Sequence, residues 1–131
     1  MKVAVDTNIL VRAVVGDDKM QAESAARLLR SADLVAVAVS SLCELVWVLR
    51  SRYGFSTLQT SAAIRALIGA ANVEVDHLTV AAGLTMLDGG GDFADGVIAY
   101  QGRWLGGETF VSFDKKAVEM LKEQGQAARA L

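Results

Sequence analysis

Carboxylates that could share one task recur along this chain. Asp6 stands in "VAVDTNIL", Glu44 in "SSLCELVWVL" and Asp114 in "FVSFDKKAV", while "DGGGDFADGVIA" at 88–99 sets Asp88, Asp92 and Asp95 around a run of glycines. Carboxylates brought within about 4–6 Å of one another repel, so either some take up protons or a cation holds them together. An all-oxygen donor set suits Mg²⁺ or Mn²⁺. Such an ion, with water as nucleophile, is the usual equipment for hydrolysing a phosphodiester. The glycine run itself is no phosphate cradle. It lacks a following Gly-Lys-Ser/Thr and leads straight into acids that repel phosphate. The glycines instead let the chain turn tightly, with Asp92 as an N-cap accepting from the backbone N–H of Asp95, and Asp88 as a solvated charge. Ala99 and Gly102, one and two turns below Asp95, are small enough to keep that side open.

The elements that must position these acids alternate. "KVAV", "DLVAVAVS", "NVEVDH" and "ETFVSF" are β-branched runs, and helical stretches lie between them. The spacing predicts helices over 7–15, 17–30, 41–53, 56–71, 79–87, 93–104 and 115–124, the third burying a stripe of Leu42, Leu45, Val46, Leu49 and Tyr53 and closed by Gly54. His77 is expected to end the third strand. Short strands separated by helices imply an α/β fold, a three-layer α/β/α arrangement around a mostly parallel sheet of roughly four to five strands. Ligands of such sheets sit at the carboxyl edge of the strands.

Asp6 follows the first strand and Asp114 the fourth, so both belong at that edge. Glu44 is expected in the first turn after the second strand. The helix from Phe93 returns Asp95 to the same edge, because about 12 residues at ~1.5 Å each span roughly the length of a six-residue strand. Four carboxylates 38, 51 and 19 residues apart can therefore converge. Each acid also has a plainer reading. Asp6, Asp92 and Asp114 can cap the helices that follow them, and Ser41 with Glu44 in "SLCE" matches a capping box. Capping explains single acids better than their joint position. Helical phase sets Glu44 opposite the apolar stripe, but Cys43, Trp47 and Val48 make that side apolar too, so Glu44 need not face bulk water.

The composition narrows the setting. With 131 residues, 53% of them hydrophobic, the chain fits a single domain over 1–131. Thirteen basic and 15 acidic residues leave a net charge of −2, so no broad basic surface advertises duplex DNA or an anionic membrane. The lone cysteine, Cys43, excludes an internal disulfide, and "MKVAVDTNIL" reads as a strand rather than a signal peptide; a cytoplasmic protein is expected. No apolar run reaches membrane length. A mean hydropathy of +0.35 suggests that some apolar surface faces a partner. Trp47, Tyr53, Phe55 and Trp104 are expected mostly in the core, an exposed subset forming a partner face.

Taken together, "VAVDTNIL", "SSLCELVWVL", "DFADGVIA" and "FVSFDKKAV" resemble, in order and spacing, the PIN-domain ribonucleases, specifically the VapC-type toxins of bacterial toxin–antitoxin pairs. The resemblance implies that Asp6, Glu44, Asp95 and Asp114 form an acidic quartet around Mg²⁺ or Mn²⁺. Asp6 and Asp95 would be the principal ligands, and Glu44 and Asp114 would be shared or water-mediated. Asn8 and Ser112 match flanking polar positions, Ser112 standing where threonine is frequent; Asp92 joins them as a supporting residue. It further implies an endoribonuclease acting on transfer RNA or a ribosomal RNA loop, a homodimer, and a VapB-type antitoxin covering the active edge. Arg12, Arg50, Lys115 and Lys116 are candidates to meet RNA phosphates. Three rivals are weaker. A haloacid-dehalogenase phosphatase needs a second Asp where Asn8 stands, a phospho-receiver domain needs paired acids after strand one and a central Asp, and a catalytically silent partner-binding module would keep these acids only as caps. One histidine, His77, supplies neither a zinc site nor a serine triad.

Overall fold

Strand β1 (Lys2–Ala4) pairs in parallel with β2 (Leu34–Ala36), and β2 in parallel with β3 (Val73–Glu74), so the sheet runs in the order β1-β2-β3. Between β1 and β2 lie α1 (Thr7–Val15) and α2 (Lys19–Ser31); between β2 and β3 lie α3 (Val39–Ser51) and α4 (Thr57–Ile68). Parallel strands need such long crossovers, because no tight turn can return the chain to the same end of the sheet. This computed structural model describes residues 1–131, which divide into two compact units, Met1–Asp76 and His77–Leu131. In the first unit the expected stripe is buried: Leu42, Leu45 and Leu49 are fully enclosed and Val46 nearly so, each contributing roughly 1.5–3 kcal/mol of burial. Tyr53 falls beyond the end of α3 and is half-buried.

The second unit contains α5 (His77–Asp88), α6 (Phe93–Trp104), β4 (Phe110–Ser112), α7 (Lys115–Glu123) and β5 (Ala128–Ala130), with β4 and β5 parallel. Its core gathers Met86, Ala99, Ala117 and Leu121, against which Phe110, Met120 and Ala128 pack. His77 opens α5 instead of closing a strand, since β3 has only two residues and ends at Glu74.

The α/β class with parallel strands is as expected, but the single sheet of four to five strands is not. Three strands form one sheet and two form another. The strands are only two or three residues long, and β4 finds its hydrogen-bonding partner in β5. The sequence of β5, Ala-Arg-Ala, carries no β-branched or aromatic residue and so no strand signal. Trp47 and Trp104, expected mostly in the core, are 60% and 76% exposed. Their apolar neighbours satisfy helical periodicity without covering them.

The packing of α5 on α6 depends on the absence of side chains. A Cβ at Gly96 would collide with the carbonyl oxygen of Ala82 and come within 2.8 Å of Met86 Cγ, and one at Gly83 would lie 2.6 Å from the Phe93 ring. At Gly102, in the same helix as Gly96, a Cβ would meet nothing within 4 Å. Gly96→Ala is therefore expected to destabilise the protein by about 1–3 kcal/mol through overpacking. Gly102→Ala should be neutral or stabilising by up to about 1 kcal/mol through helix propensity. Urea denaturation of both variants checks this, and equal effects would contradict the packing.

Candidate active site

Asp6 sits two residues past β1 in extended backbone, where its Oδ1 accepts from the backbone N–H of Ile9 at 3.2 Å and caps α1. One carboxylate oxygen is thereby spent on the helix, which fixes the group while leaving its second oxygen outside the cap. The next residue, Thr7, donates its hydroxyl to Glu44 Oε2 at 2.9 Å and ties the start of α1 to α3. The spacing of the acids gave no reason to single out Thr7. Its place between Asp6 and Asn8 was the available signal.

The expected Ser41–Glu44 capping box does not form. Helix α3 begins earlier, at Val39, behind an Ala38 cap that has no side-chain bond. Glu44 therefore lies in the second turn rather than the first, on an exposed face with Trp47. Asn8 is exposed beside Asp6. Arg12 is occupied: its Nε donates to Gln21 Oε1 at 2.7 Å and a terminal nitrogen to Asp17 Oδ1 at 2.9 Å, while the Tyr53 hydroxyl donates to Asp17 Oδ2 at 2.8 Å. Tyr53 and Arg12 hold the Asp17 carboxyl below its ordinary range. Arg50 donates to the Thr57 hydroxyl at 2.8 Å.

In the second unit, Asp114 follows β4 and caps α7 through Oδ1 and the N–H of Ala117 at 3.1 Å. The backbone N–H of Asp114 itself donates to the Ser112 hydroxyl at 2.9 Å, so the expected supporting role of Ser112 takes the form of a local brace. Asp92 caps α6, but its Oδ1 accepts from Ala94 at 3.0 Å rather than from Asp95. The N–H of Asp95 instead donates to the Asp92 carbonyl at 3.1 Å. A side chain at the cap can serve either the second or the third helical N–H, and here it takes the nearer one.

The glycine turn before Asp92 rests on α7. Lys116 donates to the Gly90 carbonyl at 2.7 Å, and the Met120 thioether lies so close to Gly89 and Gly91 that a Cβ at either would fall within 3 Å of it. Gly90 itself has a φ of +91°, open only to glycine without strain. Lys116, expected at substrate phosphates, thus holds the turn that leads into Asp95; Lys115 is exposed. Asp88 is exposed at the end of α5.

Burial first, and then the charges of Asp92 and Asp114, push the Asp95 carboxyl above its ordinary range. Asp95 therefore feels the charges of two other carboxylates of its unit, and an oxygen-ligated cation would relieve that repulsion. In neither unit do three His, Cys, Asp or Glu side chains close into a group of metal-binding tightness. The oxygen donors of these acids would suit Mg²⁺ or Mn²⁺, although the acids do not form a finished shell.

The model of the PIN domain family matches residues 3–122, nearly the whole chain and a range that includes Asp6, Glu44, Asp95 and Asp114. The chain belongs to the PIN domain family. No curated protein matches it. PIN domains are a nuclease-type fold family and are generally metal-dependent, which agrees with the all-oxygen character of the acids here.

The raised Asp95 pKa belongs to the folded chain, so the charged carboxylate costs stability at neutral pH. That cost disappears as pH falls through the folded-state value towards the ~3.9 of the unfolded chain. Asp95→Asn is expected to raise the melting temperature at about pH 7 by a few degrees at most and to lose the advantage below about pH 4. A lower melting temperature at neutral pH would contradict the crowding.

Proposed function

We propose that this PIN domain is a metal-dependent endoribonuclease, the toxin of a toxin–antitoxin module, which cuts transfer RNA or a ribosomal RNA loop and so inhibits translation. The observation that carries the reading is the crowding of Asp95 by Asp92 and Asp114 within a chain of this family, for repelling carboxylates are what a divalent cation stabilises. Taking Asp6, Glu44, Asp95 and Asp114 as one set rests on the resemblance of the sequence around them to the family's motifs. Asp6 and Asp95 would hold Mg²⁺ or Mn²⁺ principally, with Glu44 and Asp114 completing the shell. When bound, the ion supplies a lowered pKa for the attacking water and neutralises charge on the phosphoryl oxygens.

The chain's own groups supply the positioning. The caps on Asp6 and Asp114 orient their carboxylates, Ser112 braces the backbone of Asp114, and Thr7 restrains Glu44. Lys116 and Met120 steady the turn before Asp92 and Asp95. Lys115 is the candidate phosphate contact not engaged in such a bond, whereas Arg12, Arg50 and Lys116 each have an internal partner. Exposed Trp47, Trp104, Leu105 and Phe113 supply apolar surface for a second copy and for a VapB-type antitoxin. No helix is long and apolar enough to cross a membrane, and the proposed setting is the cytoplasm.

A silent partner-binding module is the second reading, favoured by the fact that Asp6, Asp92 and Asp114 all serve as caps. Brief expression in cells with mapping of new RNA 5′ ends separates the two. The nuclease should create a dominant new end that Asp6→Asn, still folded, reduces at least 100-fold, a loss of about 2.7 kcal/mol in transition-state stabilisation. Cleavage by Asp6→Asn at the wild-type rate, or no new end with the wild type, would contradict the proposal.

A further inference from the structure

A groove of about 680 Å³ opens beside Asp6 and runs between α1 and α2. Its size falls within the range of small-ligand sites. Asn8 and Ile9 line the α1 side, and Met20, Gln21 and Leu28 the α2 side. Arg12 completes the polar part of the lining, about 9 Å along α1 from Asp6 at the helical rise per residue.

Three features of this groove match one kind of ligand. The guanidinium of Arg12 is held in place by Gln21 and Asp17, and two bonds leave part of its five-donor fork for an anion. The amides of Asn8 and Gln21 offer donors and acceptors at fixed helical positions. Gln21 spends its oxygen on Arg12 and keeps its NH₂. Ile9, Met20 and Leu28 give apolar walls, and Met20 is 80% exposed although its thioether is suited to contact with a flat aromatic ring. A flat ring with a polar edge, joined to an anionic group, is a nucleotide.

We propose that the α1–α2 groove is a nucleotide subsite, which takes the nucleotide next to the cleaved phosphodiester and contributes base preference at that position. The inference rests on the ribonuclease reading above, because the groove opens at Asp6, past which the bound strand would run. The base lies against Ile9, Met20 and Leu28, the amides of Asn8 and Gln21 read its edge, and Arg12 meets a phosphate. A nucleotide fits better than a peptide, since the polar groups are a guanidinium and amides interleaved with apolar walls. That combination serves base and phosphate together.

The test fills the groove from the α2 side and leaves every acid unsubstituted. Ser24 is exposed and lines the groove from α2, so Ser24→Trp blocks it, while Ser24→Ala leaves it open. The probe is a fluorescent hexaribonucleotide pool of random sequence, with anisotropy read in EDTA so that nothing is cut. Ser24→Trp should weaken binding about tenfold, equivalent to ~1.4 kcal/mol, and Ser24→Ala should bind as wild type. Met20→Ala and Gln21→Ala, both at exposed positions, should each weaken binding several-fold. On cut RNA in Mn²⁺, Ser24→Trp should raise KM, leave kcat within about twofold, and flatten base preference at one position beside the cut. Wild-type affinity in Ser24→Trp, as for a groove that holds a protein segment instead, overturns the subsite, and Mn²⁺-dependent cleavage by the wild type in the same assay leaves the nuclease reading standing. A wild type that neither binds nor cuts the pool overturns both.

Discussion

A single kind of bond organises the acidic residues: an aspartate Oδ1 accepting from a backbone N–H in the first turn of a helix. Asp6 makes it for α1, Asp92 for α6 and Asp114 for α7. Each such cap contributes about 1 kcal/mol to its helix, and it also limits where the carboxylate can go. A capping aspartate can therefore serve a second role through its other oxygen. The cap fixes one oxygen on the protein side and leaves the other outside the cap.

Asp95 makes no such bond, and its surroundings are informative for that reason. It lies within the first turn of α6 with no cap bond of its own, half-buried, with Asp92 and Asp114 as charged neighbours. Its position depends on the turn before it, which Lys116 and Met120 hold against α7. The helix that carries Asp95 is in turn set against α5 by the close approach at Gly83 and Gly96. The second unit thus maintains a carboxylate in surroundings that disfavour its charge. That arrangement costs stability, and a bound cation would offset the cost.

Much of this was legible from residue order. Helices 7–15 and 93–104 have the expected boundaries, because Asp6, Asp92 and Gly16 mark them with ordinary capping chemistry. The stripe of α3 was readable from its period. Three things were not. β5 has no residue that favours a strand, and the register of α3 slipped because Ser41 resembles a cap while the chain enters the helix through Ala38, which no propensity singles out. Polar residues assigned by type to RNA, Arg12, Arg50 and Lys116, turned out to bond within the protein, since sequence shows that a cation is present but not which oxygen lies in reach. Glu44 is exposed where its apolar neighbours suggested shelter.

The central claim is that Asp95 is held in a charge-crowded place that a divalent cation completes. The most direct measurement is the titration of the Asp95 side-chain carboxyl by ¹³C NMR, with and without Mg²⁺. Without the ion its pKa should lie above the ordinary ~3.9 of an aspartate, and with millimolar Mg²⁺ it should fall below that value, as binding of a cation favours the ionised form. A carboxyl whose midpoint is ordinary in EDTA, or does not move when Mg²⁺ is added, would contradict the account.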